Sequence, residues 1–250
     1  MARRPLVLVT GGSRGIGAAA ALMAAERGYD VAVNYRGERA AAQDVVGRCR
    51  AAGARAEAFQ ADVAQEADVA RLFTEVDASL GRIDHLVNNA GITGRASRLD
   101  AAPIDEIRRT IDLNVTGAIL VAREAIRRIS TRHGGRGGSI VNLSSAAVWL
   151  GAPGDFVWYA ASKGAIDSLT LGLAKELGAE GVRVNAVAPG LIETDIHETA
   201  GLGGRIDRLA PMVPLQRGGS AEEVAEVILF LMSDAARYVT GAVYNVSGGR

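Results

Sequence analysis

The sequence predicts an α/β fold: a doubly wound parallel sheet of about seven strands with helices on both faces, forming a single domain over residues 1–250. Three observations predict it. Short apolar runs alternate along the chain with longer stretches of helical periodicity, the pattern of repeated β-α-β units. The first apolar run, Leu6-Val7-Leu8-Val9, opens directly into a glycine-rich turn from Thr10 to Gly17. At 250 residues and 48% hydrophobic content, the chain is long enough to bury one large core.

Leu6 to Val9 is continuously apolar, as a strand covered on both faces should be. Gly15 to Arg27 is then an alanine-rich helix ended near Gly28, Asp30 to Tyr35 a second strand, Glu38 to Ala52 a second helix and Ala54 to Gln60 a third strand. Ala67 to Leu80 carries Val69, Leu72, Phe73, Val76 and Leu80 on one helical face, and His85 to Asn88 is a fourth strand. A long helical stretch from Pro103 to Arg132 ends in the glycine turn 134–138. Ser139 to Leu143 follows as strand five, Tyr159 to Leu177 as a helix and Val182 to Ala188 as strand six. Pro189 to Gly219 is the least regular part of the chain, before a helix from Glu222 to Met232 and a last strand from Ala242 to Val246.

Formal charge is zero, which removes any global attraction to nucleic acid or to an anionic membrane. The basic start, Met1 to Arg4, precedes an apolar run too short for a signal peptide, and no run approaches the roughly 20 apolar residues of a membrane-spanning helix. The expectation is a soluble cytoplasmic protein whose partners are small molecules and other protein chains. Cys49 is the only cysteine, so an intramolecular disulfide is excluded and a small apolar helix residue is expected. His85, His133 and His197 are widely spaced, and no metal site is predicted. Glu193 and Asp195 flank Thr194 and read as solvated carboxylates.

The turn between the first strand and the first helix places backbone amides and a helix N-terminus where a pyrophosphate binds. A strict G-x-G-x-x-G/A match falls on Gly15, Gly17 and Ala20, largely inside the helix, so Gly11, Gly15 and Gly17 are the preferred functional set. In NAD-binding versions of this architecture an acidic residue about 20 positions on grips the adenosine ribose. Here the end of the second strand reads Asn34-Tyr35-Arg36, with no carboxylate. Arg36 and Arg14 instead offer positive charge for a 2′-phosphate, which predicts NADP(H) over NAD(H). Farther along, Tyr159 and Lys163 lie four apart and share a helix face. A cation beside the phenol favours phenolate, so the tyrosine pKa is expected to fall below its ordinary value of about 10.

Taken in order, Thr10 to Gly17 as TGxxxGxG, Asn88-Asn89-Ala90-Gly91 after strand four, Asn114 in the long helix, a serine after strand five, Tyr159-x-x-x-Lys163 and Pro189-Gly190 resemble the short-chain dehydrogenase/reductase family over essentially the whole chain. The resemblance implies a Rossmann fold and a carbonyl-to-alcohol oxidoreductase. Tyr159 then resembles the family's general acid/base, and Lys163 the residue that lowers the tyrosine pKa and holds the nicotinamide ribose. The serine would donate to the substrate carbonyl. Asn114 would hold a water of a proton relay through a local helix distortion. On the cofactor side, Ser13, Arg14, Gly15 and Ile16 of the glycine turn are cofactor-binding candidates, and the resemblance assigns Asp62 and Val63 to adenine and Asn88, Ala90 and Gly91 to the ribose side, with Asn89 a candidate tie between strand ends. Pro189, Gly190, Ile192 and Thr194 resemble the segment beside the nicotinamide carboxamide.

One departure concerns the serine. Ser145 stands 14 residues before Tyr159 and Ser144 stands 15, against a family spacing of 13, so the loop from Ala146 to Trp158 carries an extra residue. Alignment from the strand side favours Ser145. Ala161, Ala165, Ser168 and Gly172 put small residues on another face of the Tyr159 helix, which suits either packing on the chain's own sheet or the dimer or tetramer common in the family. Specificity is expected from Gly94 to Ala101, Ala146 to Trp158 and Leu191 to Gly218. There Leu191, Ile196, Leu202, Leu209, Met212 and Val213 would form an apolar lid, and Arg205 and Arg208 would meet an anionic substrate. A 3-oxoacyl carrier-protein reductase, a sugar or polyol dehydrogenase and a cofactor-sensing binding protein all remain open.

Overall fold

Seven parallel strands in the order β3-β2-β1-β4-β5-β6-β7 form the sheet of the computed structural model, which describes residues 3–194 and 200–250. The strands are β1 Leu6–Val9, β2 Asp30–Tyr35, β3 Ala56–Gln60, β4 His85–Asn88, β5 Gly138–Leu143, β6 Val182–Pro189 and β7 Val243–Val246. The order reverses direction at β1, whose two neighbours are β2 and β4. In an open sheet of this kind, ligands bind beyond the C-terminal ends of the strands at that switch point. The first residues past β1 and β4, Thr10 and Asn89, are already joined there, for the Asn89 amide donates to Thr10 Oγ1 at 2.9 Å and its side chain to Thr10 O at 2.8 Å.

Helices cover both faces because the strands are apolar on both. On one face α1 Gly15–Glu26, α2 Arg39–Ala51 and α9 Ala221–Met232 pack on Val7, Val9, Val31 and Val33. Alanines at 19, 20, 21, 24 and 25 let α1 settle closely against the sheet and α9. Cys49 belongs to this core, buried as expected, and burial pushes its thiol up to about 11. On the other face α3 Glu66–Ser79, α5 Ala118–Ile129 and α7 Val157–Leu177 bury Leu6, Leu8, Leu86 and Ile140.

The expected boundaries hold to within about two residues for most elements, with one larger correction. The long helix from Pro103 to Arg132 is three pieces: α4 Ile104–Ile111, a π-helical segment Asp112–Gly117 and α5, followed by a single 3₁₀ turn at Thr131–His133. Helical periodicity is blind to a one-residue widening of this kind, whereas asparagine at 114 marked where it falls. A second correction lies after β5, where α6 Ala147–Leu150 occupies the loop read as irregular. The segment from 189 to 219 holds the short helix α8 Arg205–Leu209 and a 3₁₀ turn at Ala210–Met212. Asp195, Ile196 and His197, singled out from the sequence, lie outside the described residues.

Candidate active site

Two cavities open at the C-terminal edge of the sheet. The first, about 350 Å³, is lined by the glycine turn, the ends of β2 and β3 and the segment after β4. The turn folds as its glycines require. Gly15 takes φ +54°, and a Cβ on Gly17 would lie 2.4 Å from Gly11 O, so only glycine lets α1 start this close to the strand. Arg14 occupies the N-cap of α1 without a side-chain cap bond, and the first turn has no acidic residue. The helix therefore presents open amides and an unopposed dipole to the cavity.

Ser13, Arg14, Gly15 and Ile16 all line this first cavity, as do Asn34, Tyr35 and Arg36 at the end of β2. Asn34 is buried, and its amide is engaged within the fold, accepting from Gly11 N at 3.3 Å and donating to Ala61 O at 3.1 Å. It ties three strand ends together, leaving Arg36 as the polar group of that tripeptide that reaches solvent. Arg36 Nη1 stands 4.0 Å from Asp62 Oδ2, both groups being partly exposed, so the pair holds neither side chain strongly. Asp62 and Val63 complete the wall after β3.

Among the asparagines the assignments change places. Asn88, expected on the ribose side, lies outside both cavity walls. It is buried between strands, donating to Asn142 Oδ1 at 3.1 Å and to Ala118 O at 3.0 Å, because the pleat turns its side chain inward. Asn89 lines both cavities while also making the tie to Thr10. Ala90 and Gly91 line the first cavity.

The second cavity, about 440 Å³, holds Ser144, Ser145, Tyr159, Lys163, Pro189, Gly190, Ile192 and Thr194. Ile16, Asn89, Gly91, Thr93 and Thr194 belong to both walls, so the two cavities adjoin. Within the second, burial pushes the Tyr159 phenol above its ordinary pKa, and the Ser145 hydroxyl beside it pulls the value partly back. Ser144, one residue earlier, is buried with its hydroxyl toward Asp167, whose carboxyl burial pushes up and the Ser144 hydroxyl pulls partly back. Between α6 and α7, Gly151, Ala152 and Gly154 all have positive φ, and Ala152, at +46°, is one of two non-glycine residues to do so among the described residues.

Lys163 shares the tyrosine's helix face but does not act on it as expected. Its Nζ donates to Leu143 O at 2.6 Å and lies 5.8 Å from the Tyr159 ring centroid. The tyrosine pKa is raised, with burial as the cause. Burial brings Lys163 itself down to about 8, with Asp167 one turn along α7 opposing the shift. Asn114 sits in the π-helical segment, accepting from Ile92 N at 2.9 Å and donating to Ile92 O at 2.8 Å and Ser162 Oγ at 3.0 Å. It thereby joins the segment after β4 to α7, and a Cβ on Gly91 would come within 3.1 Å of its Oδ1.

Other expectations separate. Leu191 and Leu209 line the second cavity, whereas Met212 is exposed to solvent and Val213 is buried against Gly248. Arg208 and Arg205 both line it, but Arg205 is already paired with Asp155. Sequence reading missed Asp155, Phe156 and Asp167; only Asp167 carried a signal, its position four residues after Lys163. His85 is half-buried at the start of β4, bonded to Ser139 Oγ at 2.9 Å, and desolvation brings it down to about 4. No cluster of metal-binding side chains occurs among the described residues.

A family model described as enoyl-(acyl carrier protein) reductase matches residues 11–250. The chain is 49% identical over 245 residues to the uncharacterized oxidoreductase YgfF of Escherichia coli K12, covering 98% of this chain and 99% of that one. The chain belongs to the short-chain dehydrogenase/reductase family. Among solved members, a short-chain dehydrogenase of Burkholderia cenocepacia in complex with NADP superposes with a TM-score of 0.90 at 38% identity, covering 98% of this chain and 97% of that one. A 3-ketoacyl-(acyl-carrier-protein) reductase of Brucella melitensis complexed with NADH superposes with a TM-score of 0.91 at 31% identity, covering 98% of each. Membership makes the chain an oxidoreductase with the Rossmann fold of that family, and no described helix is long and apolar enough to cross a membrane.

Proposed function

We propose that this short-chain dehydrogenase/reductase is an NADP(H)-dependent enzyme that interconverts a carbonyl compound and its secondary alcohol. The observation that carries the reading is the wall shared by the two cavities. A dinucleotide seated on the glycine turn runs past Ile16, Gly91 and Thr194 into the cavity that contains Tyr159 and Ser145. The residues fit such a group: uncapped amides at the start of α1 suit a pyrophosphate, and Arg14 and Arg36 suit a 2′-phosphate. Asp62 and Val63 are assigned to adenine, Ala90 and Gly91 to the ribose side, and Pro189, Gly190, Ile192 and Thr194 to the nicotinamide end. When bound, the cofactor supplies or accepts the hydride.

Tyr159 supplies the proton to the developing alkoxide in reduction and removes it in oxidation. Its burial keeps the phenol protonated at neutral pH, the form reduction requires. Ser145 donates to the carbonyl oxygen as negative charge grows there. Lys163, fixed by Leu143 O, supplies positive charge behind the site. Asn114 connects the cavity floor to α7 and is assigned to the proton relay.

The whole chain acts as a single catalytic domain in the cytoplasm, and as a dimer or tetramer. Ala161, Ser168 and Gly172 are exposed on α7 with Leu171, which supports a face for a second copy over packing on the chain's own sheet. Sedimentation of a stable, active monomer would refute the oligomer. Hydride-transfer assays with NADPH against ketones, 3-oxoacyl thioesters and sugars test the reaction. Tight NADPH binding without turnover of any carbonyl would instead make the chain a cofactor sensor.

A further inference from the structure

The catalytic cavity contains an ion pair that hydride transfer does not use. Arg205, the first residue of α8, and Asp155, in the loop before α7, both line the cavity. Arg205 Nη1 stands 2.6 Å from Asp155 Oδ2, and the side chains are 12% and 30% exposed. The guanidinium also lies over the Phe156 ring, 5.3 Å from its centroid. Phe156 in turn meets the Tyr159 ring edge-on, with centroids 5.5 Å apart. One aromatic ring therefore separates the pair from the tyrosine.

Burying two opposite charges costs desolvation that their attraction scarcely offsets, so such a pair is a weak device for stability alone. A wall that only needs to hold an acyl chain is built from apolar side chains, as Leu150 and Leu209 build other parts of this cavity. The pair is itself electrically neutral, so any pull on an anionic substrate comes from Arg208 and Arg250, which also line the cavity, and not from Arg205. A hydroxyl group is suited to both partners at once. It donates to the carboxylate and accepts from the guanidinium, which has five N–H donors of which the bond to Asp155 uses one, and both bonds are charge-assisted.

We propose that Arg205 and Asp155 form a donor–acceptor pair that selects hydroxylated carbonyl substrates, a polyhydroxy ketone and its polyol, over plain ketones and acyl thioesters of the same length. The inference rests on the dehydrogenase reading and names the substrate class of that same site. Arg205 and Asp155 are specificity residues; Tyr159 and Ser145 remain the groups that touch the reacting carbonyl.

The test compares erythrulose with butan-2-one as substrates of the NADPH-loaded enzyme, in wild type, Arg205→Met, Arg205→Lys and Asp155→Asn. The wild type is expected to prefer erythrulose. Arg205→Met is expected to lose about 10–100-fold in kcat/KM for erythrulose, chiefly through KM, and at least about tenfold more than for butan-2-one, with Arg205→Lys recovering part of the difference. Equal losses on both ketones would overturn the proposal and leave the pair a fastening between α8 and the loop. Preference of the wild type for butan-2-one, acetoacetate or a 3-oxobutanoyl thioester would overturn it as well. A binding arm reads the pair independently of turnover: fluorescence of Trp149 and Trp158 in the NADPH complex is titrated with erythritol and with butan-2-ol. Tighter erythritol binding that Arg205→Met abolishes supports the pair even if no carbonyl is reduced, and indifference to the hydroxyls overturns it even if one is. NADPH affinity and thermal melting of each variant check that it folds.

Discussion

The two adjoining cavities are built from different materials. Around the first, most wall residues sit just past a parallel strand or at the start of α1, with Glu106, Arg109 and Leu113 added from α4 and the π-helical segment, and neighbouring strand ends are tied to one another by Thr10, Asn34 and Asn89. Around the second, Ile16 of α1, Leu143 of β5, Pro189 of β6 and the Tyr159 helix come from regular elements that the sheet fixes, and much of the rest is α6, α8 and connecting loops. The first cavity is framed largely by tied strand ends, and the second joins Tyr159 and the serines to a wall that loops can vary. Disabling one part should therefore leave the other part's properties measurable.

The largest break comes from the fixed centre. Tyr159→Phe removes the transferable proton while keeping the ring against Phe156. It should lower kcat/KM for carbonyl reduction about 10²–10⁴-fold, with NADPH affinity near wild type because the first cavity is untouched. Retained turnover in this variant would remove Tyr159 from the mechanism.

Next in size is Ser145→Ala, expected to lower kcat about 10²–10³-fold by withdrawing a donor from the developing oxyanion. Ser144→Ala should cost far less, since its hydroxyl is turned toward Asp167. Full activity of Ser145→Ala with loss in Ser144→Ala would reverse the two assignments and show that the loop closes differently around a bound substrate.

The comparison also explains what could be read from the sequence. The strands themselves, the glycine turn and the tyrosine–lysine spacing were legible because each follows from local chemistry: an apolar run between two covered faces, a close approach only glycine permits, a shared helical face. Asn88 and Asn89 were not separable, because which side chain faces the cavity depends on where the pleat stops, and that is set by pairing with β5. The lysine's effect on the tyrosine was misjudged for a related reason. Spacing puts the groups on one face, but it does not disclose that Leu143 O draws Nζ to itself or that burial dominates the phenol. Asp155 and Arg205 are 50 residues apart, and only the loop fold brings them together.

A smaller effect sharpens the cofactor side. Replacing Arg14 and Arg36 together by alanine should weaken NADPH binding roughly 10–100-fold and leave NADH binding within about threefold, because each loses only contacts to a 2′-phosphate. Parallel dissociation constants for the two cofactors decide it. Tighter NADH than NADPH binding in the wild type would sink the NADP(H) assignment.

The smallest expected effect at neutral pH is also the one that couples the cavities. Lys163 is brought down to about 8 by burial, from an unfolded value of about 10.4. Between these values the unfolded chain binds more protons than the folded one, so the desolvation cost of charged Lys163 fades and stability rises with pH in that window. Activity should move the opposite way. Reduction uses charged Lys163 and protonated Tyr159, and burial keeps the phenol protonated well past neutrality. The lysine is therefore the group that titrates first, and kcat/KM for NADPH, which reports the free enzyme, should fall to half near pH 8. Lys163→Arg keeps the charge and should carry the break upward, out of the measurable range. An unchanged break in that variant would assign it to Tyr159, and the phenol would then be the group whose ionisation limits reduction.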